Sequence, residues 1–92
     1  MAKYLIEVPH EAEKAACLRA IQTFLETGSH FLANADWGCM DGDHRAWLMM
    51  EAENREDVTY ALPPSVRPDA RIVRLEKFTM ADVEEMASQH QG

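Results

Sequence analysis

Alternating apolar and polar positions at the start of the chain predict a β-strand over residues 3–8. The apolar side chains from Tyr4 to Val8 occur at every second position, so they share one face of that strand. Pro9 has no N–H to donate and should end the strand pairing. We therefore expect the chain to open with a strand that buries one face.

The pattern changes to helical spacing over residues 11–27. Several alanines raise the helix propensity of this segment, and Gly28 is typical of the left-handed residue that ends a helix. Four apolar side chains recur three and four residues apart and predict the buried stripe: Leu18, Ile21, Phe24 and Leu25.

Two apolar runs then flank Asp41-Gly42, a dipeptide that favours a two-residue hairpin loop. With that loop, Asp36 pairs with Trp47 in the neighbouring strand. One face of the hairpin is the more apolar, and the helices should cover it. Its members are Phe31, Ala33, Ala35, Trp37 and Cys39 on one strand, and His44, Ala46, Leu48, Met50 and Ala52 on the other.

The rest of the chain predicts two more helices and a fourth strand. Asn54 resembles the N-cap of a short helix that ends near Leu62, because two prolines follow. The fourth strand is expected over residues 70–78. Thr79 favours the start of a terminal helix over residues 80–89.

This order resembles the ferredoxin-like βαββαβ fold, in the α+β class. The resemblance implies a four-stranded antiparallel sheet, in strand order 4-1-3-2, with two helices on one face plus a short C-terminal helix. Residues 1–92 would form a single domain, to which residues 79–92 add a helix and a tail. The arrangement also resembles the dimeric α/β-barrel group, whose members pair through the open faces of their sheets. Small monooxygenases, muconolactone-isomerase-like proteins and stress-responsive barrel proteins belong to that group. No residue role is carried over from it.

Composition restricts the classes of function. The net charge of −7 argues against a nucleic-acid-binding surface, since phosphate binding needs clustered Lys and Arg. No apolar run is long enough to cross a membrane, and the N-terminus lacks the pattern of a signal peptide. Two cysteines are too few for a disulfide scaffold. We expect a cytoplasmic protein that binds neither nucleic acid nor membrane.

The open face of the sheet, which no helix covers, is the first candidate site. Trp47 and Met49 on this face would expose an apolar patch that monomers usually avoid, so a homodimer formed through the open sheet face is expected. An ion pair between Asp36 and Arg45 is expected beside Trp47. The candidate ligand-binding residues are Asp36, Arg45, Trp47, Glu7 and Asn34, with Arg74 or Glu76 at the edge.

A second candidate is a divalent metal site at the tip of the hairpin. The expected strand order brings imidazole, thiolate and carboxylate groups to one end of the domain, and these are ligand types of zinc. The candidate ligands are His10, His44, Cys39 and Asp43, with Asp41 nearby. Their spacing matches no known zinc motif, so solvated acids around a structural thiol and histidine are the alternative. Cys17 should face the same layer as Cys39.

The sequence supports three functional hypotheses. The first is a self-associating, non-catalytic module that binds a small molecule or a partner, with no cofactor. The second is an enzyme of the dimeric-barrel kind, a cofactor-free monooxygenase or isomerase acting on a small hydrophobic or aromatic substrate. The third is a protein that binds a divalent metal. No motif in the chain names a reaction.

Overall fold

Four strands build one antiparallel sheet in the computed structural model, which describes residues 1–89, and the fold is α+β. The predicted tail over residues 90–92 lies outside the described residues. Strand order is β2-β3-β1-β4, which matches the expected order when read from the other edge. The elements are β1 (Ala2–Pro9), α1 (Lys14–Glu26), α2 (His30–Ala33), β2 (Asp36–Trp37), β3 (Arg45–Ala52), α3 (Arg55–Ala61), β4 (Arg71–Leu75) and α4 (Met80–Gln89).

The two central strands, β1 and β3, hold the core of the protein. Alternation along β1 is as predicted, because Tyr4, Ile6 and Val8 are buried while Leu5 is only partly so. Ile6 pairs with Leu48 of β3, and both pack beneath the helices. Full burial of one such aliphatic side chain stabilises the fold by about 1.5–3 kcal/mol.

The predicted pairing of the hairpin is confirmed, but its predicted loop is wrong. Asp36 lies opposite Trp47, as expected. However, β2 has only two residues, and residues 38–44 connect it to β3 through a 3-10 turn at Cys39–Asp41. Gly42 caps that turn in a left-handed conformation, with φ of 85°. The Asp41-Gly42 pair therefore ends a helical turn and does not form a two-residue loop.

The first half of the predicted second strand is the short helix α2. Ser29 is its N-cap, and the Ser29 hydroxyl accepts a hydrogen bond of 3.2 Å from the Leu32 N–H. Phe31 therefore lies in a helix, although Leu32 and not Phe31 is the fully buried side chain. This additional helix and the two-residue β2 depart from a clear ferredoxin-like arrangement.

The predicted apolar stripe of α1 is only partly correct. Phe24 is buried, together with Ala16 and Cys17. Leu18 and Leu25 are instead 56% and 57% exposed. Cys17 and Phe24 are two helical turns apart and share the face toward the sheet, whereas Leu18 and Leu25 share the neighbouring face.

The last two helices begin where predicted. Asn54 caps α3 by accepting a hydrogen bond of 2.9 Å from the Asp57 N–H. Thr79 and Asp82 exchange two hydrogen bonds at the start of α4. Every α4 residue except Asp82 is exposed, so this helix projects from the body and the molecule extends over 54 × 27 × 21 Å. Within residues 1–89, each helix is too short or too polar to cross a lipid bilayer.

Candidate metal centre

Three side chains with metal-ligating atoms meet where β1 ends beside the 38–44 loop. One ligand atom each from His10, Cys39 and His44 lies within 4.8 Å of the other two. His10 Nε2 is 3.2 Å from Cys39 Sγ. The two imidazole rings meet edge to face, with their centroids 5.6 Å apart. The structure thus brings together three of the four metal ligands predicted from the sequence.

Backbone pairing fixes the two histidines relative to one another. Pro9 is opposite Arg45 at the end of the β1–β3 pairing. One residue farther, the His10 N–H donates a hydrogen bond of 3.0 Å to the His44 carbonyl. The His10 ring also packs against the indole of Trp37, with the ring centroids 5.8 Å apart. The pairing of β1 with β3 therefore fixes the positions of both histidines.

The 38–44 loop is organised around the backbone of Gly38, which places Cys39. The Gly38 N–H donates to the Arg45 carbonyl over 3.0 Å, which continues the strand pairing. The Gly38 carbonyl accepts hydrogen bonds of 3.0 Å from the N–H groups of both Asp41 and Asp43. The sequence thus forms a tight turn stabilised by its own backbone, with the Cys39 side chain directed toward His10.

The pKa values of Cys39 and His10 both shift in the direction that favours the neutral side chain. Burial raises the pKa of the Cys39 thiol to about 11, and a side-chain hydrogen bond with the Cys17 thiol adds to the rise. Burial lowers the pKa of His10, and the nearby His44 lowers it further by charge repulsion. An imidazolium–thiolate pair of the kind that activates a nucleophilic cysteine is therefore disfavoured here.

Two buried nitrogen atoms in the cluster lack a hydrogen-bond partner among the described residues. They are Nδ1 of His10 and Nδ1 of His44. Leaving a buried polar atom without a partner costs about 1–3 kcal/mol. Both atoms lie in one cluster, beside the partly buried thiol of Cys39. A cation bound at His44 Nδ1 would use one of these two lone pairs, whereas His10 faces Cys39 through its Nε2 atom.

Asp43 and Asp41 do not join the cluster, and the prediction that Asp43 is a ligand is corrected. The Asp43 carboxylate lies 3.2 Å from Arg45 Nε, since its side chain points toward the other face of the sheet. Asp41 is exposed at the end of the 3-10 turn. The structure therefore supports a ligand set of imidazoles and thiol without carboxylates.

The predicted open-face residues do not form one site. Glu7 and Arg45 belong to a group of ion pairs, and Asn34 lies at the end of α2. Glu7 bonds to Arg45 over 2.6 Å and lies 3.5 Å from Arg71, while Arg45 bonds to Glu7 and Asp43. Within residues 1–89 the predicted ion pair between Asp36 and Arg45 is absent. The Arg45 guanidinium pairs instead with Glu7 on the neighbouring strand β1. The Asn34 side chain donates to the His30 carbonyl and ends α2.

An open depression on the sheet holds the remaining open-face candidates. Its volume is about 440 Å³, and its lining includes Asn34, Asp36, Trp47 and Met49. Arg74 lies opposite Tyr4, so its backbone position is on the helix-covered side and not on the open face. The structure therefore brings fewer of the predicted site residues together on the open face than at the end of β1.

Cys17 is the residue near the cluster that the sequence left out of the predicted ligand set. Its buried thiol faces a groove of about 380 Å³ that also includes Cys39 and His44. The rest of the lining is mainly apolar, with Ala12, Leu18, Ile21, Trp37 and Met40. Cys17 and Phe24 are seven residues apart on α1, but so are the exposed Leu18 and Leu25, so this spacing alone does not place the thiol toward the sheet.

Comparison with known proteins gives no relative from which a role could be transferred. No family model matches the chain, and neither a curated protein nor a solved structure matches it significantly.

Proposed function

We propose that this protein binds a divalent transition metal, with zinc as the best fit, through His10, Cys39 and His44. One observation carries the proposal. Two imidazoles and a thiol converge within 4.8 Å, and each imidazole keeps a buried nitrogen that has no hydrogen-bond partner within residues 1–89. Zinc and similar borderline metals favour nitrogen and sulfur ligands of this kind.

The spacing of the ligand atoms suits a tetrahedral ion. Zn–S bonds of about 2.3 Å and Zn–N bonds of about 2.0–2.1 Å separate neighbouring sulfur and nitrogen ligands by roughly 3.5 Å. The distance between His10 Nε2 and Cys39 Sγ is 3.2 Å, so a small outward shift would admit the ion. A metal ion also deprotonates a coordinating thiol outright, which would overcome the raised pKa of Cys39.

The surroundings favour a cation in two further ways. The net charge of −7 raises the local concentration of positive ions around the protein. The apolar side chains of the adjacent groove, Leu18 and Trp37 among them, would limit the access of water to the ion. The cysteine ligand must stay reduced, and this requirement supports a cytoplasmic location.

The test is the metal content and zinc affinity of the untagged protein. We expect about one zinc per chain by elemental analysis after zinc loading and desalting. A His10→Ala, His44→Ala double variant should lose the bound zinc, because only one ligand of the three would remain. Calorimetric titration should show a loss of affinity well above the tenfold that removal of even an outer-shell partner typically causes.

His30→Ala is the matched control, since His30 is exposed on α2 and outside the cluster. It should bind zinc as the wild type does. Equal zinc binding by the double variant and the wild type, with both folded by circular dichroism, would contradict the proposal.

A second function, self-association, is supported by the open face of the sheet. Met49 is 48% exposed at the centre of β3, and its pairing partner Leu5 shares the same face. Directly opposed residues share a face, so the apolar centre of this surface comprises Leu5, Trp47, Met49, Val73 and Leu75. We infer a homodimer in which two such surfaces pack face to face. The two sheets would then be separated by about 10 Å.

The finer assignment of the fold is also a proposal. The strand order β2-β3-β1-β4 and the two crossover segments containing α1 and α3 support a ferredoxin-like fold of which β2 is a shortened member. Such a fold with an open face is consistent with a non-catalytic binding module. The enzyme hypothesis would need a substrate cavity, and the depression beside Asp36 and Trp47 is the candidate on the open face.

A further inference from the structure

We infer that Cys17 is a fourth ligand and that the centre is a closed site of two thiolates and two imidazoles. This inference rests on the proposed metal-binding function. It predicts a structural centre that joins α1 to the end of β1 and to the 38–44 loop. In a three-ligand centre, by contrast, the fourth position would be free for water or a substrate.

The position of Cys17 is the first support. Its side chain is 8% exposed on the sheet-facing side of α1. Cys17 and Cys39 both line one groove, together with His44. Two cysteines from distant parts of the chain therefore border the same groove beside one imidazole of the cluster.

Coordination requires the Cys17 side chain to move. Cys17 lies outside the three-residue group whose ligand atoms are all within 4.8 Å of one another, so its sulfur must approach the two histidines. Rotation about the single side-chain torsion of Cys17 moves its sulfur without moving the helix backbone. The groove of about 380 Å³ lies directly beside this side chain.

Charge balance is the second support. A zinc ion with one thiolate and two neutral imidazoles carries a net charge of +1 among apolar side chains, and an unpaired charge in such surroundings is costly. A second thiolate makes the centre neutral. The binding step is Zn²⁺ plus two thiols giving a zinc dithiolate and two protons, which pass to the solvent, so no oxidant or reductant is needed.

X-ray absorption at the zinc edge of the loaded wild-type protein tests the ligand count directly. We expect two sulfur atoms at about 2.3 Å and two nitrogen atoms at about 2.0–2.1 Å. Cys17→Ala should reduce the fit to one sulfur and weaken zinc binding at least about tenfold. The cobalt-substituted protein should likewise lose about half of its thiolate-to-metal charge-transfer absorption in this variant, because that absorption scales with the number of thiolates.

The outcomes separate the inference from the function on which it rests. A wild-type spectrum with one sulfur, unchanged in Cys17→Ala, would overturn the fourth ligand and leave zinc binding intact. A Cys39→Ala variant that kept full zinc affinity, or a wild type that bound no zinc, would overturn both. Because the wild-type spectrum gives the sulfur count alone, the test does not depend on whether a Cys17 variant folds.

Discussion

Gly38 is the residue on which the geometry of the metal centre depends most directly. A Cβ atom at this position would lie 2.7 Å from the Asp43 carbonyl oxygen and 2.7 Å from the Trp47 ring. Both distances are shorter than real Cβ contacts, and one of the two neighbours is backbone. The turn that carries Cys39 therefore has no room for a side chain at its first residue.

Gly38→Ala should destabilise the protein and weaken zinc binding at the same time. The added methyl must displace the Asp43 carbonyl or the indole of Trp47, and overpacking of this kind typically costs about 1–3 kcal/mol. The displaced loop would also move Cys39 away from His10. Urea unfolding and zinc titration measure the two effects.

Gly28→Ala provides the comparison. Gly28 has a φ of 74°, and a Cβ there would meet nothing within 4 Å. This variant should lose stability through its left-handed backbone but keep the zinc affinity of the wild type. Normal zinc affinity in Gly38→Ala would show that the loop does not control the centre.

At the residue scale, the sequence predicts the location of the cluster more accurately than it predicts which residues belong to it. The topology expected from the hydrophobic pattern brings His10, Cys39 and His44 to one end of the sheet. The sequence also predicts Asp43 as a ligand because carboxylates bind metals, but in the structure the Asp43 carboxylate pairs with Arg45. Cys17 could not be placed beside His44 from sequence alone, because the rotation of α1 on the sheet depends on packing.

Among the elements, α4 shows how local chemistry alone can define a helix. Thr79 N–H donates to the Asp82 carboxylate over 2.9 Å, and Asp82 N–H donates to the Thr79 hydroxyl over 3.1 Å. The hydrogen bond from the Thr79 N–H lowers the pKa of the Asp82 carboxyl group, and the Thr79 hydroxyl lowers it further. Since the helix is almost fully exposed, this capping box is a main determinant of where it begins.

The start of α4 should loosen in acid. Because the pKa of Asp82 is lowered by folding, its contribution is complete above the ordinary value of 3.8 and is lost as the pH falls through the lower folded value. Backbone NMR chemical shifts of residues 80–89, followed from pH 6 to pH 2, should report a loss of helicity in that range. Asp82→Ala should abolish the acid step, whereas Glu84→Gln should retain it. A wild-type helix unchanged at pH 2 would be inconsistent with this role.

Element boundaries follow from the sequence where caps are strong and fail where two signals compete. Asn54 and Thr79 mark their helices correctly. Ser29, however, begins α2 inside an apolar run that alternation assigns to a strand. The serine cap and the backbone hydrogen bonds of a helical turn determine the local structure there. The alternating pattern does not, because a strand at this position would lack a pairing partner.

For the whole molecule, the open sheet face is the largest feature without a covering layer. Among the described elements, no helix lies over Leu5, Met49 and Val73, which are adjacent on three neighbouring strands. Arg45 and Arg71 on one edge pair with Glu7, so the surface combines an apolar centre with balanced charges. Such a surface suits a second copy of itself better than a highly charged partner.

Met49→Lys should convert the dimer into a monomer. A lysine at the centre of the interface would place a like charge opposite its counterpart, or one close to it, in the second subunit. Light scattering should give twice 10.4 kDa for the wild type and 10.4 kDa for the variant. Met40→Lys is the matched control, since Met40 is fully exposed beside the metal centre and away from the open face. A wild type of 10.4 kDa at micromolar concentration would contradict self-association.

The projecting α4 also determines how the protein diffuses. A compact chain of 92 residues has a radius of gyration of about 12 Å. The value for this chain is 16.6 Å, because the terminal helix lengthens one axis to 54 Å. A single molecule of this shape experiences more friction than a sphere of equal mass and leaves a gel-filtration column early. Elution volume alone would therefore make one chain resemble two, and removal of α4 should shift a monomer to later elution without changing its core.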